Sequence, residues 1–432
     1  MRHQHVQRRA HSEEYLCSAK PEECWEILGS ATPGMDGGIL CGGSILSVGR
    51  SHRKAAKHVS IQLLDAPDPL RIAVLAHLHH PIRAPFAGGM EAHTAHLVSD
   101  LSSRGHHVTL FAKAGSEALC PRATLRIHPV ISGTFEVRGY PDDQMKNAQH
   151  RKLDGAMKSA VEHIRAGDFD VVINNSLSPI PHAHLQGMAV LHILHTPPLP
   201  RITSLLDKQK TDERHRFATV SAVNARAWRR WLPQLEIIPN GINMEFWGNQ
   251  PHAEVSAGTA AWTGRITPEK GTHLAIAAAR ANNLRLAMAG PIQDREYFNE
   301  LIAPSLAEDA RYLGHLPQEE LRQLIGSSEV FISSPLWEEP FGLTTLEAMA
   351  CGTPVAALPA GAMAELIGTT GGALATARTA AALGHAVARA LAMDRQKVRE
   401  RAAGFSRELM IEAYESLLAQ IAAPLALRGR ES

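Results

Sequence analysis

From Arg71 onward the chain alternates between two kinds of apolar pattern. "RIAVLAHL" and "HHVTLFA" are short runs apolar at nearly every position. Between them "MEAHTAHLVSDLSSRG" repeats Ala95, Val98 and Leu101 at helical spacing, and Gly105 supplies a stop. A continuous apolar run suits a parallel strand covered on both faces, and strand, helix, strand in succession seeds a doubly wound sheet. The rhythm continues in "FDVVINN", "MAVLHIL", "FATVSA" and "LEIIPNGIN". A second set starts near residue 259 with "TAAWTGR", "LRLAMAG", "ARYLGHL", "EVFISS" and "TPVAALP", interleaved with the helical stretches "HLAIAAARA" and "QEELRQLIGSS". The pattern predicts an α/β chain with two Rossmann-like, doubly wound parallel-sheet domains, 70–245 and 246–404, facing across a cleft. In the closing segment, 405–432, "FSRELMIEAYESLLAQIA" reads as an amphipathic helix with Leu409, Ala413, Leu417 and Ile421 on one side.

Residues 1–69 break this rhythm. They hold "ATPGMDGGILCGGS" and no sustained period, so they are expected to be a poorly ordered extension. Composition is otherwise that of a globular protein, with 44% apolar and 20% charged residues among 432. A net charge of +1 gives no basic field for nucleic acid, so any bound phosphate needs local positive groups. The 5 cysteines form no CxxC pair, which argues against a disulfide framework or a zinc site and fits a reducing, cytoplasmic setting. The 24 histidines are scattered without metal-ligand spacing, so no metal is expected. No apolar run reaches the roughly 18 residues of a transmembrane helix, which leaves at most peripheral membrane contact.

Two stretches carry candidate chemistry. In "WTGRITPEKG" a strand ends near Thr263, Gly264 opens a loop, and Arg265 and Lys270 follow before a helix. Ligands of open α/β sheets sit beyond the carboxyl ends of strands, and an Arg and a Lys there suit a diphosphate. In "EPFGLTTLEAMACGTPV" a loop carrying Glu339 leads through Phe341 and Gly342 into a helix. The amides of Gly342, Leu343 and Thr344 are placed to meet an anion at that helix N-terminus. Glu347, expected in the first turn, offers a carboxylate for a ribose diol and for the favourable end of the helix dipole. Either stretch alone also fits ordinary surface charge and helix capping. A dinucleotide fold is disfavoured, because "AGGMEA" lacks the GxGxxG spacing.

Together these stretches resemble the retaining glycosyltransferases of the GT-B fold, in particular family 4 (group 1). "EPFGLTTLEAMACGTPV" resembles the E-x7-E signature and "GRITPEKG" the Gly-Arg…Glu-Lys-Gly loop. "IIPNGIN" resembles the interdomain Pro-Asn-Gly segment, and "GGMEAHTAHLVSDLSSRGHHVTLFA" the N-terminal glycine loop and first helix. The four lie in family order between Arg71 and Ala422. The resemblance implies that Arg265 and Lys270 neutralise a donor diphosphate, Glu347 grips the ribose and Glu339 meets sugar hydroxyls. Phe341, Gly342 and Leu343 would present amides, with Gly264 and Thr344 beside them. Gly88 and Gly89 would let the N-terminal loop approach the donor. His195, in "LHTPP", would be the active-site histidine, and Leu316, in "YLGHL", would lie beside the base. The terminal helix would cross back to the N-terminal domain. One departure is "GAMAE", where Gly361 and Ala362 stand in place of a glycine pair before Glu365.

The implied reaction moves a hexose from a UDP- or GDP-linked sugar to an acceptor hydroxyl with retention. The nucleotide sugar is the co-substrate and there is no further cofactor. The acceptor, a glycan, a lipid-linked sugar or a small molecule, has no readable code in 114–168. Other enzymes on the same scaffold, a phosphorylase or a sugar-nucleotide epimerase, and a non-catalytic nucleotide-sugar binder are the alternatives.

Overall fold

The computed structural model describes residues 15–16, 39–41, 44–47, 62–63, 68–117, 119, 123–133, 143–248 and 254–429. Met1–Asp68 and Pro69–Ser432 pack as two separate units. Within the first, Tyr15–Leu16, Ile39–Cys41, Ser44–Ser47 and Gln62–Leu63 pair in chain order as a small mixed sheet. The rest of the expected poorly ordered extension lies outside the described residues.

The second unit holds two parallel sheets. The first contains β1 (Arg71–Ala76), β2 (His107–Lys113), β3 (Leu125–Ile131), β4 (Val171–Asn175), β5 (Val190–Leu194), β6 (His215–Thr219) and β7 (Glu236–Ile237), in the order β7-β6-β5-β4-β1-β2-β3. The second contains β8 (Ser256–Thr263), β9 (Arg285–Ala289), β10 (Ala310–Tyr312), β11 (Ser328–Ser333), β12 (Val355–Ala357) and β13 (Gly372–Leu374), in the order β10-β9-β8-β11-β12-β13. Both orders are doubly wound, as the alternation of patterns predicts. β1 explains why its run is continuously apolar. Ile72, Val74 and Ala76 enter one core while Ala73 and Leu75 enter another on the opposite face, all 0% exposed. Each large apolar side chain so covered contributes about 1.5–3 kcal/mol.

The helices that frame the site are α1 (Gly89–Ser103), α2 (Asp143–Ala166), α3 (Thr272–Arg280), α4 (Leu343–Ala350) and α5 (Arg407–Gly429). Ala95, Val98 and Leu101 of α1 are buried, and Gly105 follows the helix at φ +97°. In α5 the buried face differs from the expected one. Met410, Ile411, Tyr414, Leu417, Leu418 and Ile421 join the core of the first sheet, while Leu409 is 53% exposed and Ala413 also faces solvent. The expected face advanced by four residues at each step, which drifts about 40° per step on a helix of 3.6 residues per turn. Steps of four, three and four (410, 414, 417, 421) stay on one side. Helix α5 is pinned to α1 by the Arg407 guanidinium on both oxygens of Asp100. The chain enters α5 beside the earlier crossing between the sheets: Ile242 N–H donates to Phe405 O at 2.8 Å, and Arg407 N–H to Ile242 O at 2.9 Å.

Candidate active site

Between β8 and β11 the connections of the second sheet turn to opposite sides, and the carboxyl ends of these strands open a crevice. A small cavity lies there, walled by Thr263, Ser333, Lys270, Glu339, Gly342 and Thr344 among others. Lys270 closes a single 3₁₀ turn, Pro268–Lys270. Its carbonyl accepts the Ser334 hydroxyl at 2.9 Å, and that serine accepts the Trp262 indole N–H at 3.0 Å. The backbone of Lys270 is thus tied to the ends of both strands. Its ammonium donates to Glu339 Oε2 at 2.5 Å and lies 5.6 Å from the centre of the Trp337 ring. Trp337 Nε1–H donates to the same oxygen at 2.9 Å.

Glu339 is held from behind by the "GAMAE" segment. Ala362 N–H donates to Glu339 O at 2.8 Å. Gly361 sits at φ +56°, and a Cβ there would lie 2.1 Å from Glu339 O, so this position needs glycine for both conformation and space. The next residue does not, since the Ala362 methyl is accommodated in the core. Glu365 from the same segment accepts Ala222 N–H, at 3.0 Å to one oxygen and 3.2 Å to the other, and so links the two sheets' lobes.

Gly342 takes a left-handed conformation, φ +97°, and turns the chain into α4 without a side-chain cap. The first amides of the helix, at Leu343 and Thr344, lack an intrahelical acceptor, and Thr344 lines the cavity. The Phe341 ring is buried and packs edge-on to Phe405. Glu347 is the fifth residue of α4 and stands in its second turn, which corrects the expected first-turn place. Leu343, Thr344 and Glu347 form the partly exposed face of a helix whose Thr345, Leu346, Ala348, Met349 and Ala350 are buried. Thr344 on that face lines the Lys270–Glu339 cavity. Glu347 has no hydrogen-bond or ion-pair partner among the described residues, and burial pushes its carboxyl up to about 8. Desolvation therefore outweighs the helix dipole that was expected to favour the charge. Thr263 Oγ1, on the cavity wall, is likewise buried without a partner among the described residues.

Arg265 follows Gly264 out of β8 and donates to Gln293 Oε1 at 2.8 Å. Gly264 N–H donates to Ala289 O at 3.0 Å and Gly290 N–H to Gly314 O at 2.8 Å, so the loops after β8, β9 and β10 are laced together. Leu316 ends the third of these and lies on a separate groove with Leu313 and Leu324. Across the crevice, Gly88 precedes α1 and Gly89 begins it. A Cβ on Gly89 would lie 3.0 Å from Leu343 Cδ1, so the absent side chain lets the lobes meet. The charge of Arg265 reaches His80 on the first lobe, whose pKa is lowered chiefly by burial.

His195, just past β5, is 8% exposed and hydrogen-bonded through Nε2 to Asn175 Oδ1. Its ring centre is 4.5 Å from that of His93, which in turn packs on Tyr414 of α5. Burial lowers its pKa to about 3, so this imidazole is neutral at physiological pH. His195 thus stands on the first lobe, apart from the residues that line the Lys270–Glu339 cavity. Trp337, Gln293, Asn175 and Ser334 were not singled out from the sequence. Trp337 lies two residues ahead of Glu339, but an indole beside two carboxylates carries no signal until Lys270 arrives from 67 positions earlier. Among the described residues no cluster of three or more His, Cys, Asp or Glu is arranged to hold a metal, and no helix is long and apolar enough to cross a membrane.

Two family models match the chain in succession, Glycosyltransferase Family 4 over residues 87–246 and Glycosyl transferases group 1 over 250–407. The D-inositol 3-phosphate glycosyltransferase of Mycobacteroides abscessus is 25% identical over 413 residues, covering 82% of this chain and 91% of its own. Among solved structures, the sucrose-phosphate synthase of Thermosynechococcus elongatus superposes with a TM-score of 0.66 at 20% identity, over 82% of this chain and all of its own. A protein from Anabaena crystallised with UDP and glucose superposes with a TM-score of 0.61 at 17% identity, over 81% and 99%. These likenesses establish the GT-B fold.

Proposed function

The chain belongs to the group 1 glycosyltransferases of family 4, and from that premise we propose that it transfers a hexose from a UDP- or GDP-linked sugar to an acceptor hydroxyl with retention of configuration. The observation that carries this reading is the convergence of Lys270, Glu339, Gly342 and Thr344 on one cavity at the switch point of the second sheet. Glu347 lies on the same helix face as Thr344 with its carboxyl unpaired.

Departure of a nucleoside diphosphate concentrates negative charge on the leaving phosphate as the sugar becomes oxocarbenium-like. Groups fixed around that charge lower the barrier, because they bind the transition state better than the ground state. Lys270 supplies a point charge, Arg265 a forked one, and the amides of Leu343 and Thr344 supply oriented dipoles. Charge-assisted hydrogen bonds contribute about 1.5–3 kcal/mol each, so the set accounts for several orders of magnitude in rate without calling for a metal. Glu339 takes sugar hydroxyls and Glu347 the ribose diol. In the retaining step the bond from the anomeric carbon to the phosphate oxygen breaks. The acceptor oxygen bonds to the same face of that carbon, and its proton passes to the leaving phosphate. His195, neutral and pinned by Asn175, belongs to the first-lobe side of the crevice. Meeting of the lobes at Gly89 and Leu343 excludes water that would hydrolyse the donor. The acceptor is a glycan, a lipid-linked sugar or a small molecule, met in a cytoplasmic setting.

A screen of UDP- and GDP-sugars by thermal shift names the donor, and turnover follows with that donor. Lys270→Ala and Glu347→Ala are each expected to lower kcat/KM by about 10²–10³, with EDTA leaving turnover unchanged. Full turnover in both variants would overturn the reading.

A further inference from the structure

We propose that Lys270, Glu339 and Trp337 form an exchange latch that makes this site favour an intact sugar nucleotide over the nucleoside diphosphate it leaves behind. The inference rests on the donor-binding role proposed above and adds what those contacts do to one another.

Lys270 and Glu339 are bound to each other, ammonium to Oε2 at 2.5 Å, with only 22% and 14% of the two side chains exposed. Yet the reaction assigns them different partners, phosphate oxygen for the lysine and sugar hydroxyl for the glutamate. The pairing occupies one of three ammonium N–H groups and one of two carboxylate oxygens, so a phosphate that draws the ammonium toward itself and off Oε2 trades this contact for its own. An intact donor brings both replacement partners at once, a phosphate acceptor for Lys270 and hydroxyl donors for Glu339. A nucleoside diphosphate brings only the first. To the extent that it draws Lys270 away, it leaves Glu339, a largely buried carboxylate, with the Trp337 N–H as its remaining hydrogen bond from this cluster. An under-paired buried charge is costly, and that cost falls on the product complex alone. Once the sugar has moved to the acceptor, Glu339 competes for Lys270 again and promotes release of the diphosphate.

Trp337 acts here as a positioning residue. Its N–H fixes Oε2 of Glu339 at 2.9 Å, and its ring lies beneath the same ammonium at 5.6 Å. With Lys270 drawn off, the indole still holds Oε2, and Oε1 together with the freed acceptor site of Oε2 is left to take sugar hydroxyls. Gly361, which tolerates no Cβ against Glu339 O, keeps the glutamate backbone from retreating. The latch thus has fixed ends and one exchangeable contact.

The test is isothermal calorimetry on the full chain with UDP, UDP-glucose, GDP and GDP-mannose, which needs no acceptor. The wild-type protein is expected to bind one sugar nucleotide more tightly than its own diphosphate. Glu339→Gln weakens the hold on Lys270, so diphosphate affinity is expected to rise about tenfold, or about 1.4 kcal/mol, while the advantage of the sugar nucleotide disappears. Trp337→Phe keeps the ring but removes the N–H. It is expected to leave diphosphate affinity within twofold of wild type and to weaken sugar-nucleotide binding severalfold. Unchanged or weaker diphosphate binding in Glu339→Gln overturns the latch, as does a Trp337→Phe variant that loses both ligands equally. If the wild-type protein binds none of the four, the functional reading itself falls, a result distinct from either of those.

Discussion

Glu347 states the residue-scale problem most sharply. Its pKa is raised to about 8 by burial, against an ordinary carboxyl value near 4.3 in an unfolded chain. The folded protein therefore holds a proton that the unfolded chain releases, and between these two values stability falls as pH rises. The contribution is intact below about pH 4 and is lost as pH passes through 8. A neutral Glu347→Gln side chain escapes the penalty. Its melting temperature is expected to exceed wild type by several degrees at pH 8.5 and to match it near pH 4.5, as a pH series of calorimetric scans will record. The same substitution removes the carboxyl group proposed to hold the ribose, so stability and donor affinity are expected to move in opposite directions. Such opposition is common where a polar group is kept for a ligand at a cost to the fold.

At the scale of elements, the terminal helix and α4 show how a face is chosen. Helix α5 buries Met410, Tyr414, Leu417 and Ile421 against the first sheet and leaves Leu409 outside. Leu417→Ala is expected to destabilise by about 2–5 kcal/mol, while Leu409→Ala should stay within about 0.5 kcal/mol; urea unfolding separates the two. Equal losses would mean that the buried face has been drawn wrongly. In α4 the partly exposed face, Leu343, Thr344 and Glu347, is the one left open to the proposed ligand, because the remaining positions are taken up by the core around Leu346 and Met349. The motif is thus read in a helical register that packing sets. Among the elements missed from the sequence, β3 and α2 have separate explanations. β3 is an edge strand, half exposed and carrying Pro129, so its apolar run is broken. Helix α2 did carry a period, with Leu153, Met157, Ala160 and Ile164 all buried, but within a largely polar sequence.

At the scale of the whole molecule, two contacts join the lobes near the site. Gly89 meets Leu343, and Glu365 accepts the amide of Ala222. The chain crosses between lobes twice, and the two crossings are hydrogen-bonded to each other at Ile242, Phe405 and Arg407. Gly241 permits that approach, since a Cβ there would lie 2.6 Å from Arg407 Cα. Domain closure about such a strap changes turnover more than it changes the stability of either lobe. Gly89→Val places a branched side chain where Leu343 already stands. It is expected to lower kcat at least tenfold and to leave the melting temperature within about 2 °C, as steady-state assay and calorimetry on the same sample will decide. A variant that melts early and keeps its turnover would refute this role for the contact.

The strand–helix alternation and the local motifs were legible in the residues, because periodicity and turn chemistry act within a few positions of each other. Two doubly wound sheets, the loop after Thr263 and the left-handed turn at Gly342 follow from such short-range rules. Contacts between distant segments were not legible. Lys270 meets Glu339 across 69 positions and Trp337 across 67, His195 leans on Asn175, and Glu365 reaches Ala222 across 143. Which face α5 buries, and how far Glu347 is desolvated, likewise depended on what packs against them. Local sequence sets the conformational preferences of a segment, whereas pairing, burial and pKa depend on neighbours that only the folded chain brings together.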